Sequence, residues 1–429
     1  MSLKDRLGRL TGEPVRPTQT DPAHKTISEL RRKIDEVMSR RERFASPQFP
    51  KVQRNAIPLE HVVAGEEAQT QHGNLFISRR TFNGNDVHGH ARICDFACLN
   101  MEATAFLARP RMSKDITLEE GLFLDTETTG LAGGTGTFPF LIGLGWFETG
   151  SFITCQLFAR DFSEERAMLR YLSELAADKQ FLVTFNGRAY DMNLLTARFI
   201  LNRSHDTLTT KPHIDLLHPS RRIFAHRLDN ARLSTIETQV LGVRRDGDVP
   251  GFEIPQRYFD WLRLRDGKLL EDVFTHNRLD IVSMASLLKH LADLAEDCQE
   301  VGQGQHDDFL KMAGLLYERG NPEKAERMLE LLLTSHKPDV VMSARRSLSL
   351  IYKKAHRWED ATRLWQDLLA TNPKDVFAGE ELAKFFEHHA REFGKALEIV
   401  SKLLDDSIHL SDDERVSLEH RLQRLHKHI

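Results

Sequence analysis

Along this chain the spacing of apolar residues changes twice, and each change marks a different kind of structure. Residues 1–60 are polar and carry prolines at 14, 17, 22, 47, 50 and 58. One segment there, Ile27 to about Phe44, places Ile27, Leu30, Ile34 and Val37 at helical spacing and predicts a surface helix. Its arginines (Arg31, Arg32, Arg40, Arg41, Arg43) read as a solvated face. From His61 to about Phe82 the runs are short and alternating around Gly73-Asn74, the pattern of a hairpin. Leu122, Phe123 and Leu124 predict a buried strand. Phe138–Phe147 and Phe152–Phe158, joined through Glu148-Thr149-Gly150, complete an antiparallel meander.

The period then alternates. A helix is expected from Ser163 to about Ala177, a strand over Phe181–Phe185, a helix through Leu194–Phe199, and a strand over His213–Leu217. Short helices and an exposed, mobile loop, Arg244-Arg-Asp-Gly-Asp-Val-Pro-Gly, follow between Arg221 and Arg265. A long helix runs from about Lys268 to Leu294. After about Asp307 the pattern is helical throughout. Tyr317 with Ala325, Tyr352 with Ala361, and Ala396 recur at intervals of 36 and 35, with turns at Gly320-Asn321-Pro322 and Thr371-Asn372-Pro373. This resembles tetratricopeptide repeats, whose small alanines let paired helices approach. The expected division is a polar extension (1–60), a hairpin and helix segment packed on the core (61–117), an α/β domain with one mixed sheet flanked by helices (118–296), and helical repeats (305–429).

Composition narrows the function. The 429 residues are 40% hydrophobic and 28% charged, and no uninterrupted apolar run reaches the roughly 18 residues of a membrane span, so a cytoplasmic location without membrane contact is expected. The four cysteines form no disulfide framework. At a formal charge of −4, a nucleic acid would be gripped by local patches, and Arg198–Lys268 holds 13 Lys/Arg against 9 Asp/Glu. His88, His90, Cys94 and Cys98 have a zinc-like spacing but lack paired Cys-x-x-Cys knuckles, and read as structural. The stretch Leu131-Ala-Gly-Gly-Thr-Gly-Thr lacks the Gly-Lys-Ser/Thr ending of a phosphate loop and reads as a turn.

Candidate chemistry lies in the carboxylates. Asp125 and Glu127 are two apart at a strand end and therefore share a face. Asp191 opens a helix just beyond another strand. His276 and Asp280 are four apart on the long helix and stack on one side. If the sheet gathers Asp125, Glu127, Asp191 and Asp280, their charges require cations, and a site holding two Mg2+ or Mn2+ ions that hydrolyses phosphodiesters is the economical reading. His276 is then placed to accept the proton of the attacking water.

The order Asp-x-Glu, Asn-Gly-x-x-Tyr-Asp, His-x-x-x-Asp resembles the exonuclease motifs of the DEDD superfamily. More closely, Leu124-Asp-Thr-Glu-Thr-Thr-Gly-Leu-Ala-Gly-Gly-Thr-Gly, Thr184-Phe-Asn-Gly, Arg232-Leu-Ser-Thr-Ile-Glu, Gly247-Asp-Val-Pro-Gly and His276-Asn-Arg-Leu-Asp resemble the bacterial YprB-type family, a mitomycin-repair exonuclease among them. The resemblance implies a ribonuclease-H-like fold followed by tetratricopeptide repeats, and 3′-to-5′ exonuclease activity on DNA in a repair setting, with a helicase as a plausible partner of the repeats. It implies that Asp125 bridges both metals, Glu127 and Asp280 complete the first, Asp191 serves the second, and His276 is the general base. Thr128 and Asn186 would contact substrate. His276 lies four residues before Asp280, whereas the histidine subclass usually places its base five before, where this chain has Thr275. RNA as substrate, and an inactive core carrying a repeat scaffold, are the alternatives.

Overall fold

The computed structural model describes residues 56–113, 115–130, 136–296, 306–405 and 410–428. The expected helix at 27–44 and most of the glycine-rich stretch after 130 lie outside them. Around Gly73, whose φ of +119° suits a residue without a Cβ, the chain forms the expected hairpin of β1 (Glu66–Thr70) and β2 (Gly73–Phe82). A two-residue ladder, β3 (Val87–His88) with β4 (Ala91–Arg92), leads into two short helices, α1 (Ile93–Ala97) and α2 (Met101–Thr104). The meander follows as β5 (Gly121–Thr128), β6 (Pro139–Glu148) and β7 (Ser151–Phe158). Then come α3 (Glu165–Ala176), β8 (Phe181–Thr184), α4 (Asp191–Leu201), β9 (His213–Asp215) and α5 (Leu217–Phe224).

All seven longer strands join one sheet in the order β1-β2-β7-β6-β5-β8-β9. β1, β2, β7, β6 and β5 pair antiparallel, and β5, β8 and β9 pair parallel. The segment 61–117, expected only to pack on the core, thus contributes two strands that extend the sheet beyond β7. β9 stops at Asp215 rather than Leu217 because the Asp215 carboxylate accepts the Leu217 N–H at 3.1 Å and turns the chain into α5.

Both faces are covered. Leu122, Leu124, Ile142 and Leu144 meet Met168 and Leu172 of α3 and Leu195 and Phe199 of α4 in one buried cluster. On the other face lie Phe123, Phe152 and Val183, under the helix α8 (Lys268–Ala295). Between them in sequence are α6 (Leu233–Ile236), continued by a π-turn over Glu237–Leu241, and α7 (Ile254–Leu264), whose Tyr258 stacks on Phe140 at 4.1 Å.

The rest of the described chain is helical: α9 (His306–Glu318), α10 (Pro322–Leu332), α11 (Pro338–Lys354), α12 (Trp358–Thr371), α13 (Val376–Phe385), α14 (Phe393–Asp405) and α15 (Asp412–Leu425). Each packs on the next, and Ala325, Ala361 and Ala396 are fully buried where the spacing predicted close approach. α9 also packs on α5 and α8, so Phe309, Met312 and Leu316 share a core with the sheet domain. Among the described residues no helix is long and apolar enough to cross a membrane.

Candidate active site

Strand alternation puts Asp125 and Glu127 on the same face at the C-terminal end of β5, next to an irregularity in the β5–β6 ladder between Glu127 and Thr128. The helix α8 can reach them because β6 presents glycines beneath it. A Cβ on Gly143, the register partner of Asp125, would lie 2.3 Å from the Asn277 amide oxygen. One on Gly145 would lie 2.4 Å from the Ile281 side chain. In the space left open, Asn277 Nδ2 donates to Asp125 Oδ2 at 2.9 Å. Its amide oxygen accepts from Gln156 Nε2 at 2.9 Å, which also donates to the Phe274 carbonyl at 2.8 Å. Asn277 and Gln156 are buried, and a satisfied chain of this kind fixes the orientation of the carboxylate at its end.

Asp191 opens α4 as predicted. The loop before it turns at Asn186, φ +65°, and is held by Asp215, which accepts the N–H groups of Asn186 at 2.8 Å and Arg188 at 3.1 Å. Thr126, on the strand between the two acidic residues, donates its hydroxyl to Asp191. The Tyr190 hydroxyl donates to the Gly130 carbonyl at 2.9 Å and ties this loop to the end of β5.

The third arm is α8. His276 Nε2 stands 3.6 Å from Asp280 Oδ2, and its Nδ1 is 2.8 Å from Asp248 Oδ1. Asp280 is also paired with Arg245, whose guanidinium is buried against Glu237 and approaches Asp248 at 3.3 Å. The 244–251 loop, expected to be exposed and mobile, is exposed at 244, 246–248, 250 and 251 but anchored through Arg245. That anchoring depends on partners far away in sequence, so local composition does not show it. Behind it, His88 is buried and hydrogen-bonded to Ser283 of α8 at 2.7 Å, which ties the β3–β4 ladder to this helix.

Electrostatics follow from this crowding. Burial, and then Asp280 and Asp191, push the Asp125 carboxyl well above the usual range. Burial, then Asp125, Asp280, Asp191 and Asp248, do the same to Glu127, which no hydrogen-bond donor touches among the described residues. Burial raises Asp191 to about 6 against the pull of the Thr126 hydroxyl. Burial alone would lower the Arg245 pKa, but Asp280 and Glu237 outweigh it and raise it.

Among the described residues no group of three or more His, Cys, Asp or Glu side chains is disposed to hold a metal ion as it stands. Asp280 is engaged by Arg245 and Asp191 by Thr126. The donor set nevertheless fits hard divalent cations. It offers carboxylate oxygens from three elements, and Asp125 and Glu127 carry charge that their surroundings penalise. Arg245→Ala should therefore lower the stability of the metal-free protein by about 3 kcal/mol, since it leaves Glu237 and Asp280 without a counter-charge. Melts with and without Mn2+ check this, and the ion should restore part of the loss in the variant because Asp280 regains a cation.

The five residues singled out for chemistry meet around the end of β5. Thr128 turns its hydroxyl inward to the Gly130 carbonyl at 2.8 Å, and Asn186 is exposed at the rim. Local spacing did not point to Asn277, Gln156, Arg245, Glu237 or Asp215. The pair Gly143 and Gly145 inside an apolar strand was a usable signal, since glycines there mark close approach of another element.

A family model described as RNase_H superfamily matches residues 122–292. The chain is also 37% identical over 309 residues to the uncharacterized protein YprB of Bacillus subtilis (strain 168), an alignment covering 71% of this chain and 73% of that protein. The matched span includes the sheet from β5 onward and all five site residues, so the chain belongs to the YprB-like family and carries a nuclease-like domain of the ribonuclease H superfamily.

Proposed function

We propose that this protein is a 3′-to-5′ exonuclease that hydrolyses DNA with two Mg2+ or Mn2+ ions and works in DNA repair. The observation that carries the reading is the convergence of Asp125, Glu127, Asp191 and Asp280 from β5, α4 and α8, with the protons of the first three bound more tightly than usual. End specificity and polarity rest on the resemblance of the motif order to the DEDD exonucleases.

In this reading Asp125, Glu127, Asp191 and Asp280 would hold the two ions, Asp125 serving both, Glu127 and Asp280 the first and Asp191 the second. When bound, the ions would supply Lewis-acid activation of water and positive charge at the leaving oxygen. The chain supplies orientation. Asn277 fixes the Asp125 carboxylate, and His276, held between Asp248 and Asp280, accepts the proton of the attacking water. The helices after 305 serve as tetratricopeptide-like repeats that bind a protein partner, a helicase being the natural candidate.

The test is degradation of end-labelled single-stranded DNA and RNA of one sequence. DNA shortened from its 3′ end with Mg2+ or Mn2+, and stopped by chelator, is the expected result. Turnover of RNA alone would move the assignment to an RNA exonuclease of the same chemistry. Inertness of wild type and Asp125→Ala alike would leave a scaffold with a retired site.

A further inference from the structure

A second polar feature, which the carboxylate site does not use, lies at the edge of the sheet beside β9. Arg109 is pinned there by a one-residue bridge: its N–H donates to the His213 carbonyl at 3.0 Å, and its carbonyl accepts the His213 N–H at 3.2 Å. Arg188 sits in the β8–α4 loop, three residues before Asp191. Arg319 comes from just beyond the C-terminal end of α9 and is half-buried. These three guanidinium groups line one cavity of about 360 Å³ together with His213 and His218. A neighbouring cavity of about 230 Å³ shares Arg109 and Arg188 and adds Lys211 and the Asn193–Thr196 flank of α4, so the two form a trough.

Within the described residues none of the three arginines has an ion-pair partner, although arginines elsewhere, such as Arg198, Arg227 and Arg245, are paired. Glu318, beside Arg319, is turned to Arg222. Asp215, the carboxylate in the wall, is filled by the N–H groups of Asn186, Arg188 and Leu217. Burial and then the like charge of Arg109 act against the protonated form of Arg319; Glu318 offsets part of this, and Arg188 adds to it. Three separate elements thus bring guanidinium groups without ion-pair partners to one trough, where Arg109 and Arg188 are open to solvent, and a polyanionic ligand would supply their counter-charge.

We propose that this trough carries the phosphate backbone of a single nucleic-acid strand whose terminus lies among the carboxylates. The inference rests on the nuclease reading of those carboxylates for its direction, since the loop from Asn186 to Asp191 is the common wall of the two sites. It also gives the helical array a part in substrate binding, because Arg319 belongs to it.

The experiment is fluorescence anisotropy of the full-length chain with an end-labelled single-stranded 12-mer in chelator, over a salt series, run beside the cleavage assay in Mn2+. Arg109→Gln, Arg188→Gln and Arg319→Gln should each weaken binding by about 3- to 10-fold and reduce the slope of log affinity against log salt by about 0.7. Arg319→Lys, which keeps the charge, should retain more affinity than Arg319→Gln and guards against a folding defect in the latter. Unchanged affinity and slope in all three glutamine variants, or no binding by wild type, would overturn the trough. If wild type also cleaves DNA, the nuclease reading survives that result. Weakened binding in the variants with no hydrolysis by wild type would support the trough and sink the nuclease reading.

Discussion

Asp125→Asn is expected to abolish hydrolysis, by about 10³-fold or more, without lowering the melting temperature of the metal-free protein. Asparagine keeps an oxygen for the Asn277 amide to bond, so the local hydrogen bond survives. What disappears is a charge that burial and the neighbouring Asp280 and Asp191 penalise. The pH dependence has a definite sign. A carboxyl whose pKa is raised by folding contributes stability that is present below its unfolded value and is lost as pH rises through its folded value. For Asp191 that window runs from 3.8 to about 6, and for Asp125 and Glu127 the loss continues upward. His88 and His213, each lowered from 6.5 to about 4 chiefly by burial, pull the opposite way over part of the same range. The informative quantity is therefore the difference between variant and wild type. In chelator the variant should gain on wild type as pH rises from 4 to 8, as measured by urea unfolding. A variant that melts far below wild type at pH 8 would mean that the Asp125 charge is part of the fold.

Gly143→Ala should strongly destabilise the protein. The new Cβ would stand 2.3, 2.7 and 2.8 Å from the three terminal atoms of the Asn277 side chain, which is fully buried and bonded to both Gln156 and Asp125. Relief requires either α8 to move away from the sheet or the amide to leave its partners. Overpacking together with a broken buried hydrogen bond places the cost at about 2–4 kcal/mol. Because Asp280 rides on the same helix, hydrolysis should fall as well. Gly251→Ala, whose Cβ would meet open space, is the control and should leave both readings unchanged. Equal melts for the two variants would show that α8 yields freely at this point.

Elements set by local spacing were legible in the sequence. Period-two runs gave the hairpin and the meander, the two-residue step gave Asp125 and Glu127 a common face, and the four-residue step put His276 over Asp280. The helical hairpins were marked by Ala325, Ala361 and Ala396, all of which are buried. What stayed hidden was the choice of distant partners. Nothing local says that β2 lies against β7, that Arg245 in a polar loop reaches Asp280, or that Asn277 hangs between Gln156 and Asp125. These contacts join residues 35 to 152 positions apart and exist only after the sheet has formed.

A single slab of side chains extends from Ile93 under the sheet to Leu382 in α13. A cut near residue 305 would strip Phe309, Met312 and Leu316 from α5 and α8 and leave an oily scar on the sheet-bearing fragment. Such a fragment should clump during purification. In the intact chain the same continuity works as a splint: whatever clasps the outer helices in their folded form shifts the melting of the whole slab, including the helix beneath which the acidic cluster sits.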